Sequence, residues 1–374
     1  MDGTLGFGRA EFVSGGAMSA GSVSAKPVSV GVVGASGYVG SELLRLVLIH
    51  PQCQLTRVCG QSSAGRPLEE VLPSLRAFAP GFRIEAFDAD VLAKECDVVF
   101  TALPHGQSME CVAALRERGK LVIDLSADFR LDDPQVYAEW YGPHSRPDLL
   151  QDAVYGLVEL HRGEIAKADL IAVPGCYPTA SILALAPLLK GPHIALEGIV
   201  IDAKSGVSGA GRSASLSSHF VEVREGIRAY KVGGQHRHLP EMEMALSRVA
   251  GRPLRLTFTP HLTPMGRGIL STIYARPLRS APALEEILAE ARALYRDSAS
   301  VEVLEAGMCP DTNWIRGSNR VHLSYTFDPR TQMLIAQGSI DNLLKGAAGQ
   351  AMQCLNLRFG WPEGLGLDQP PAWP

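Results

Sequence analysis

The 374-residue chain lacks an excess of either charge: 35 Lys and Arg stand against 39 Asp and Glu, a formal net charge of −4. A polyanionic partner such as nucleic acid calls for a basic face, and this balance supplies none, so a small-molecule substrate is expected instead. Cysteine pairing is missing as well. The seven cysteines (Cys53, Cys59, Cys96, Cys111, Cys176, Cys309 and Cys354) are odd in number and none has CxxC spacing. That argues against a disulfide framework or a zinc ribbon, and no metal is expected. Scattered free thiols suit the reducing cytoplasm. Long apolar runs are absent, so no membrane span is expected. Residues 1–26, rich in Gly, Ser and Ala, lack both the apolar core of a signal peptide and the Arg density of a transit peptide. They read as a disordered leader, with Met18 as an alternative start.

What is present is alternation. Residues 28–35, 55–60, 96–103, 121–126 and 170–173 are short apolar runs, each read as a buried strand. Between them, 41–50, 91–95 and 108–118 read as helices. Such β-α alternation predicts a parallel sheet covered by helices. Beyond about residue 190 the texture changes. Strand-like stretches at 198–202, 254–258, 269–274, 321–325 and 334–338 are joined by helices at 240–249 and 284–295, which suggests a mixed or antiparallel sheet. A last helix spans 342–356. The predicted fold is therefore α/β: a Rossmann-type dinucleotide-binding domain (27–175), an α+β catalytic and dimerisation domain with a mixed sheet (176–339), and a C-terminal helix (340–374) returning to the first domain. Apolar strands in the second domain could form the face of a homo-oligomer, a dimer or tetramer.

A glycine string, Gly34-Ala35-Ser36-Gly37-Tyr38-Val39-Gly40, lies between the first strand and the first helix. Glycines there permit a tight turn and close approach of the backbone to a pyrophosphate resting on the helix N-terminus. An NAD site would carry an acidic residue about 20 residues further on. Here the second strand is followed by Gln61, Ser62, Ser63 and Arg66, with no carboxylate before Glu69. Hydroxyls and a guanidinium suit a 2′-phosphate, so NADP is favoured over NAD, although Arg66 could equally be a solvated loop charge.

The segment Val173-Pro174-Gly175-Cys176-Tyr177-Pro178 joins a strand to a helix expected from about Pro178. Cys176 then sits at a helix N-terminus, where the dipole and free N–H groups stabilise a thiolate or an oxyanion. It is the expected nucleophile. An acid/base partner is offered by His236 and His238, expected on one side of an extended segment because Leu239 precedes proline. Which imidazole transfers the proton is open at this stage; His236 is slightly favoured, with His238 orienting substrate. Candidate anion-binding residues are Ser208, Gly209 and Arg212 in a glycine-rich loop after a strand, and Arg130 at a strand C-terminus. Glu241, beside the histidine pair, is grouped with them as substrate-binding.

At these residues the chain resembles the N-acetyl-γ-glutamyl-phosphate reductase family, within the semialdehyde dehydrogenase superfamily. The resemblance spans about residues 28–362 and rests on GASGYVG (34–40), LPHG (103–106), DLSADFR (124–130), VPGCYPTA (173–180), SGVSGAGR (205–212), HRHLPE (236–241), RG (267–268) and IDNLLKGAAGQA (340–351). It implies NADPH-dependent reduction of an acyl phosphate through a thioester on Cys176, in arginine biosynthesis. It also implies that Asp341 and Asn342 lie near the nicotinamide. Competing readings are a carrier-linked acyl phosphate, an aspartate-semialdehyde dehydrogenase with a shorter substrate, and a non-catalytic NADP-binding regulator.

Overall fold

The computed structural model describes residues 26–280 and 283–373. Apart from Lys26, the proposed leader lies outside the described residues. The first sheet contains β1 (Val28–Val33), β2 (Cys53–Cys59), β3 (Val98–Thr101), β4 (Leu121–Asp124), β5 (Ala153–Tyr155) and β6 (Leu170–Ala172), in the order β2-β1-β3-β4-β6-β5. Every pairing is parallel. A parallel sheet needs cover on both faces, which explains the unbroken apolar runs of β1, β3 and β4. One face packs against the Tyr38–Ile49 helix and the other against the Met109–Glu117 helix. β1 ends two residues earlier than its apolar run because Gly34 turns at φ +87°.

The second sheet comprises β7 (Ile199–Gly206), β8 (Arg228–Ala229), β9 (Leu256–Thr263), β10 (Ile269–Ala275), β11 (Val301–Val303), β12 (Val321–Asp328) and β13 (Met333–Ile340). Its order is β11-β12-β13-β10-β7-β9-β8, and it mixes parallel and antiparallel pairs. β7, β9 and β10 alternate buried and less buried residues, as a sheet covered on one face should. The covered face packs on the Cys176–Lys190 helix, whose residues 177–189 are all buried. A helix apolar on every side belongs inside a core. This one lies between the second sheet and the C-terminal segment, where Gln350 donates to Thr179.

That segment leaves β13 through a wide helical turn, in which Gly346 N–H donates to Asp341 O and Ala348 N–H to Leu343 O, each five residues back. The Gly349–Arg358 helix follows, so the expected single helix over 342–356 is two pieces. Leu344, Ala348, Met352 and Leu355 pack in the core of the first sheet. Lys345, fully buried, donates to Glu159 at 2.6 Å and to Gln353 at 2.7 Å. Burial works to raise the Glu159 carboxyl, but Lys345 outweighs it and holds the group below its ordinary value. No helix among the described residues is long and apolar enough to cross a membrane.

Candidate active site

Two clefts open along the junction of the two sheets, one of about 900 Å³ and one of about 790 Å³. Among the described residues, neither is lined by an Asp or a Glu. Cys176, Arg130 and His238 line both, so the thiol stands where the clefts meet.

The larger cleft is walled by the glycine string. A Cβ on Gly34 would lie 2.4 Å from Ala102 O, and one on Gly40 2.3 Å from Gly34 O, so neither position tolerates a side chain. Gly37 precedes the Tyr38–Ile49 helix and no side chain caps that helix start, leaving its first N–H groups to a ligand. Ser36, Tyr38, Val39, Ser62, Ser63 and Arg66 line the same cleft. Ser63 Oγ is buried without a hydrogen-bond partner among the described residues, as an atom awaiting a ligand would be. Arg66 is over half exposed and only 3.8 Å from Glu70. Asn342 reaches the cleft too, donating to Ser208 Oγ at 2.9 Å and accepting from Gly268 N–H at 2.8 Å. Asp341 does not line it: its carboxylate turns inward to accept from Leu343, Leu344 and Gly317 N–H groups.

Arg212 and Ser208 also belong to the larger cleft, whereas Gly209 lines both. Arg212 bridges the two domains, donating to Ser36 O at 2.8 Å and Val71 O at 3.1 Å. The guanidinium therefore faces the glycine turn, away from the smaller cleft where a substrate anion was expected to meet it.

Cys176 is the first residue of its helix, two positions earlier than expected. Gly346, in the wide turn after β13, packs so closely on it that a Cβ there would meet Cys176 Cβ at 2.8 Å. The helix start was expected to stabilise a thiolate, and N–H groups of Tyr177 and Cys176 do act in that direction. Burial outweighs them and pushes the thiol up to about 11. Arg130 favours the thiolate, but Glu241 opposes it. The resting group is thus a thiol, which would have to shed its proton to act as a nucleophile.

Glu241 is 2 % exposed and lines neither cleft, a correction to its expected place among substrate-binding residues. It accepts from Gly175 N–H at 2.8 Å and Tyr155 OH at 2.8 Å, and faces Arg130 at 3.4 Å. Its role is to hold the Pro-Gly-Cys turn. Arg130 is pinned further by Val173 O and Leu125 O, both at 2.8 Å. Asp128, two residues before it, accepts from Gly106 N–H and Tyr137 OH and so fixes the loop after β4 against the loop after β3.

The histidine pair is not extended. His238 has φ −81° and ψ −9°, and Leu239 already opens the Leu239–Ala250 helix. Proline in the first turn suits a helix start, and this outweighs the bias it places on the residue before it. The folded turn still brings the rings together edge to face, with centroids 4.9 Å apart and planes inclined at 60°. His238 N–H donates to His236 Nδ1 at 3.1 Å, whereas His238 Nδ1 has no partner. His238 also abuts the nucleophile turn: a Cβ on Gly175 would lie 2.6 Å from its Nε2. Burial, reinforced by Lys231 and Arg237, pulls His236 down to about 4. Burial first, and then His236, Arg130 and Lys231, hold His238 well below its ordinary value. Both are neutral imidazoles at pH 7.

Sequence reasoning missed Tyr230, Lys231, Arg237 and His105, which line the smaller cleft. Signals existed. Arg237 lies between the two histidines, His105 lies in the LPHG string, and the Gly233-Gly234 pair marks a special turn just after Lys231.

Residues 29–168 match the family model described as semialdehyde dehydrogenase, NAD binding domain, and residues 176–342 match semialdehyde dehydrogenase, dimerisation domain. An N-acetyl-gamma-glutamyl-phosphate reductase of Citrifermentans bemidjiense is 52% identical over 347 residues, covering 93% of this chain and all of that one. The chain belongs to the N-acetyl-gamma-glutamyl-phosphate reductase family. Another member, from Geobacter metallireducens, is 49% identical with the same coverage. Among solved structures, aspartate semialdehyde dehydrogenase II from Vibrio cholerae superposes with a TM-score of 0.67 at 17% identity, over 89% of this chain and 99% of that one. Aspartate semialdehyde dehydrogenase with NADP from Candida albicans gives 0.66 at 17%, over 91% and 99%. At that identity the likeness establishes the shared two-domain fold, while the reductase family membership rests on the closer relatives.

Proposed function

We propose that this chain performs the reaction its relatives are named for, the NADPH-dependent reduction of N-acetyl-γ-glutamyl phosphate to N-acetylglutamate 5-semialdehyde with release of phosphate, as a cytoplasmic homo-oligomer in arginine biosynthesis. One observation carries this reading: Cys176, Arg130 and His238 stand at the meeting point of two clefts that, among the described residues, no carboxylate lines. Both ligands of the reaction are anions, and the site is built for anions.

The glycine turn, Ser62, Ser63, Arg66, Arg212 and Asn342 would hold NADPH, the unpartnered Ser63 Oγ and the bare main chain at Gly34 and Gly40 fitting such a group. When bound, it supplies the hydride that takes a thioester to the aldehyde level. The chain's own residues do the rest. Cys176 Sγ bonds to the acyl carbon, the bond from that carbon to the phosphate oxygen breaks, and phosphate leaves with the electron pair. The thiol proton passes to a neutral imidazole and on to the departing phosphate. His238 is the better placed of the two, reversing the preference drawn from spacing: it touches the turn of Cys176 and keeps a free ring nitrogen, whereas His236 Nδ1 is already engaged. First-turn N–H groups and Arg130 favour negative charge on the acyl oxygen. At the aldehyde level the C–S bond breaks, sulfur keeps the pair, and a proton returns to it through the imidazole.

The reverse reaction tests this. N-Acetylglutamate semialdehyde should drive NADP reduction only when phosphate is present, with aspartate semialdehyde far poorer. Phosphate-independent reduction, or a preference for aspartate semialdehyde, would refute it.

A further inference from the structure

We infer that Arg237 and Lys231 form a receptor for a second carboxylate of the substrate, and that they restrict the enzyme to acyl phosphates that carry that carboxylate free. The inference rests on the acyl-phosphate reading above and deepens it.

Four cationic side chains line the smaller cleft: Arg130, Arg228, Lys231 and Arg237. Arg130, beside the thiol, is balanced by the buried Glu241. Arg237 and Lys231 line only the smaller cleft, away from the glycine turn. Among the described residues neither has a carboxylate within ion-pairing distance, although most arginines of this chain do. Like charges gathered without a counter-ion repel, and a bound anion relieves that repulsion.

Arg237 is held by contacts of its side chain, and Lys231 is set by its backbone conformation. The Arg237 guanidinium lies over the Tyr141 ring, 5.3 Å from its centroid. Tyr141 OH donates to the Arg237 carbonyl at 3.0 Å, and the guanidinium also donates to His105 Nε2. A planar fork fixed on an aromatic face is suited to a carboxylate. Lys231 has φ +47°, a left-handed backbone that residues with a Cβ seldom adopt. Gly233 and Gly234, at +75° and +78°, then bring the chain back to His236. Strain of this kind at a cleft is a sign of function. Burial and Arg237 together hold Lys231 below the ordinary lysine value. His105 and His236 are held neutral by burial and by the same two cations, so neither adds charge; the other fixed charge on this cleft is the exposed Arg228, whose guanidinium donates to Ser217 O.

Chemistry decides which anion they receive. The phosphate leaves from the carbon that Cys176 attacks, so it must lie beside Cys176 and Arg130. The remaining charge of an N-acylglutamyl phosphate is its α-carboxylate, since the acylamino group is neutral.

The test compares wild type, Arg237→Met and Lys231→Met on N-acetylglutamate semialdehyde and on its α-carboxamide analogue. Loss of a charge-assisted contact predicts a fall of roughly 100-fold in kcat/KM for the acid in Arg237→Met and about 10-fold in Lys231→Met, carried by KM. The amide should change less than about 2-fold, so the acid-over-amide preference collapses. Equal losses on both substrates, or a fall in kcat with KM unchanged, would overturn the receptor. Calorimetry with N-acetylglutamine, which keeps the α-carboxylate, and with its α-amide separates this from the reaction itself. An inactive wild type that still binds N-acetylglutamine through Arg237 refutes the acyl-phosphate reading alone. Binding unaffected by either substitution refutes the receptor alone.

Discussion

In the larger cleft Gly34, Gly37 and Gly40 present bare main chain, while the smaller one is walled by side chains: Tyr230, Lys231, Arg237 and the histidines. The first arrangement needs one short stretch of chain, because a strand, a turn and a helix follow each other directly. The second draws on the loops after β3, β4, β7 and β8, brought together by two sheets. A cofactor shared by many enzymes can be held by backbone, which any such turn supplies. A particular substrate needs charges at particular points, and those come from residues far apart in the chain. Cys176 belongs to both arrangements, since the helix it opens lies between the domains.

Substitution at that meeting point has the largest expected effect. Cys176→Ser should lower kcat/KM by roughly 10⁴-fold, by analogy with loss of other enzyme nucleophiles. NADP affinity, measured by fluorescence titration, should stay within about 2-fold, because the larger cleft is intact. Activity near wild type would end the thioester mechanism.

Glu241→Gln keeps an acceptor for Gly175 N–H but leaves Arg130 unbalanced, which should cost about 3 kcal/mol of stability in denaturant unfolding. The same change removes a charge that opposes the thiolate. The pH midpoint for alkylation of Cys176 by iodoacetamide should therefore fall from about 11. A midpoint that rises or stays would show that Glu241 does not act on the thiol through charge.

Acid should strike the imidazole-walled cleft. His236 titrates near 4 in the folded chain and from 6.5 when unfolded, and His238 is shifted the same way. Between those values the unfolded state binds protons that the folded state does not, so stability falls as pH falls. Each buried neutral imidazole should cost about 2 kcal/mol between pH 7 and pH 5, read from urea midpoints. Equal midpoints at the two pH values would contradict the burial assigned to these rings.

The smallest effect is expected at the rim of the larger cleft. Arg66→Ala should raise KM for NADPH by roughly 10-fold and leave NADH almost unchanged. Equal kcat/KM for the two cofactors in wild type would refute the 2′-phosphate role of Ser62, Ser63 and Arg66.

Much of the fold was legible because its signals are local. Unbroken apolar runs mark β1, β3 and β4, and the glycine string marks the turn after β1. The short strands β5, β8 and β11 were not legible: unlike the equally short but wholly buried β6, they are largely exposed or half-buried and carry no apolar run. Of the candidate site, Cys176 and the histidine pair were readable from their neighbours. Glu241 was misplaced because its sequence neighbours line the cleft while its own side chain turns inward. Arg212, expected at the substrate, lines the larger cleft alone, although its loop touches both.

The sequence by itself determined the parallel sheet, the glycine turn and a cysteine at a strand-to-helix junction, for each depends on residues within a few positions of one another. Only the tertiary structure decided the ionisation of that cysteine, because its desolvation and the opposed charges of Arg130 and Glu241 come from three separate segments. It alone also brought Lys231 and Arg237 onto the wall of the smaller cleft, since the residues around them come from loops of both domains.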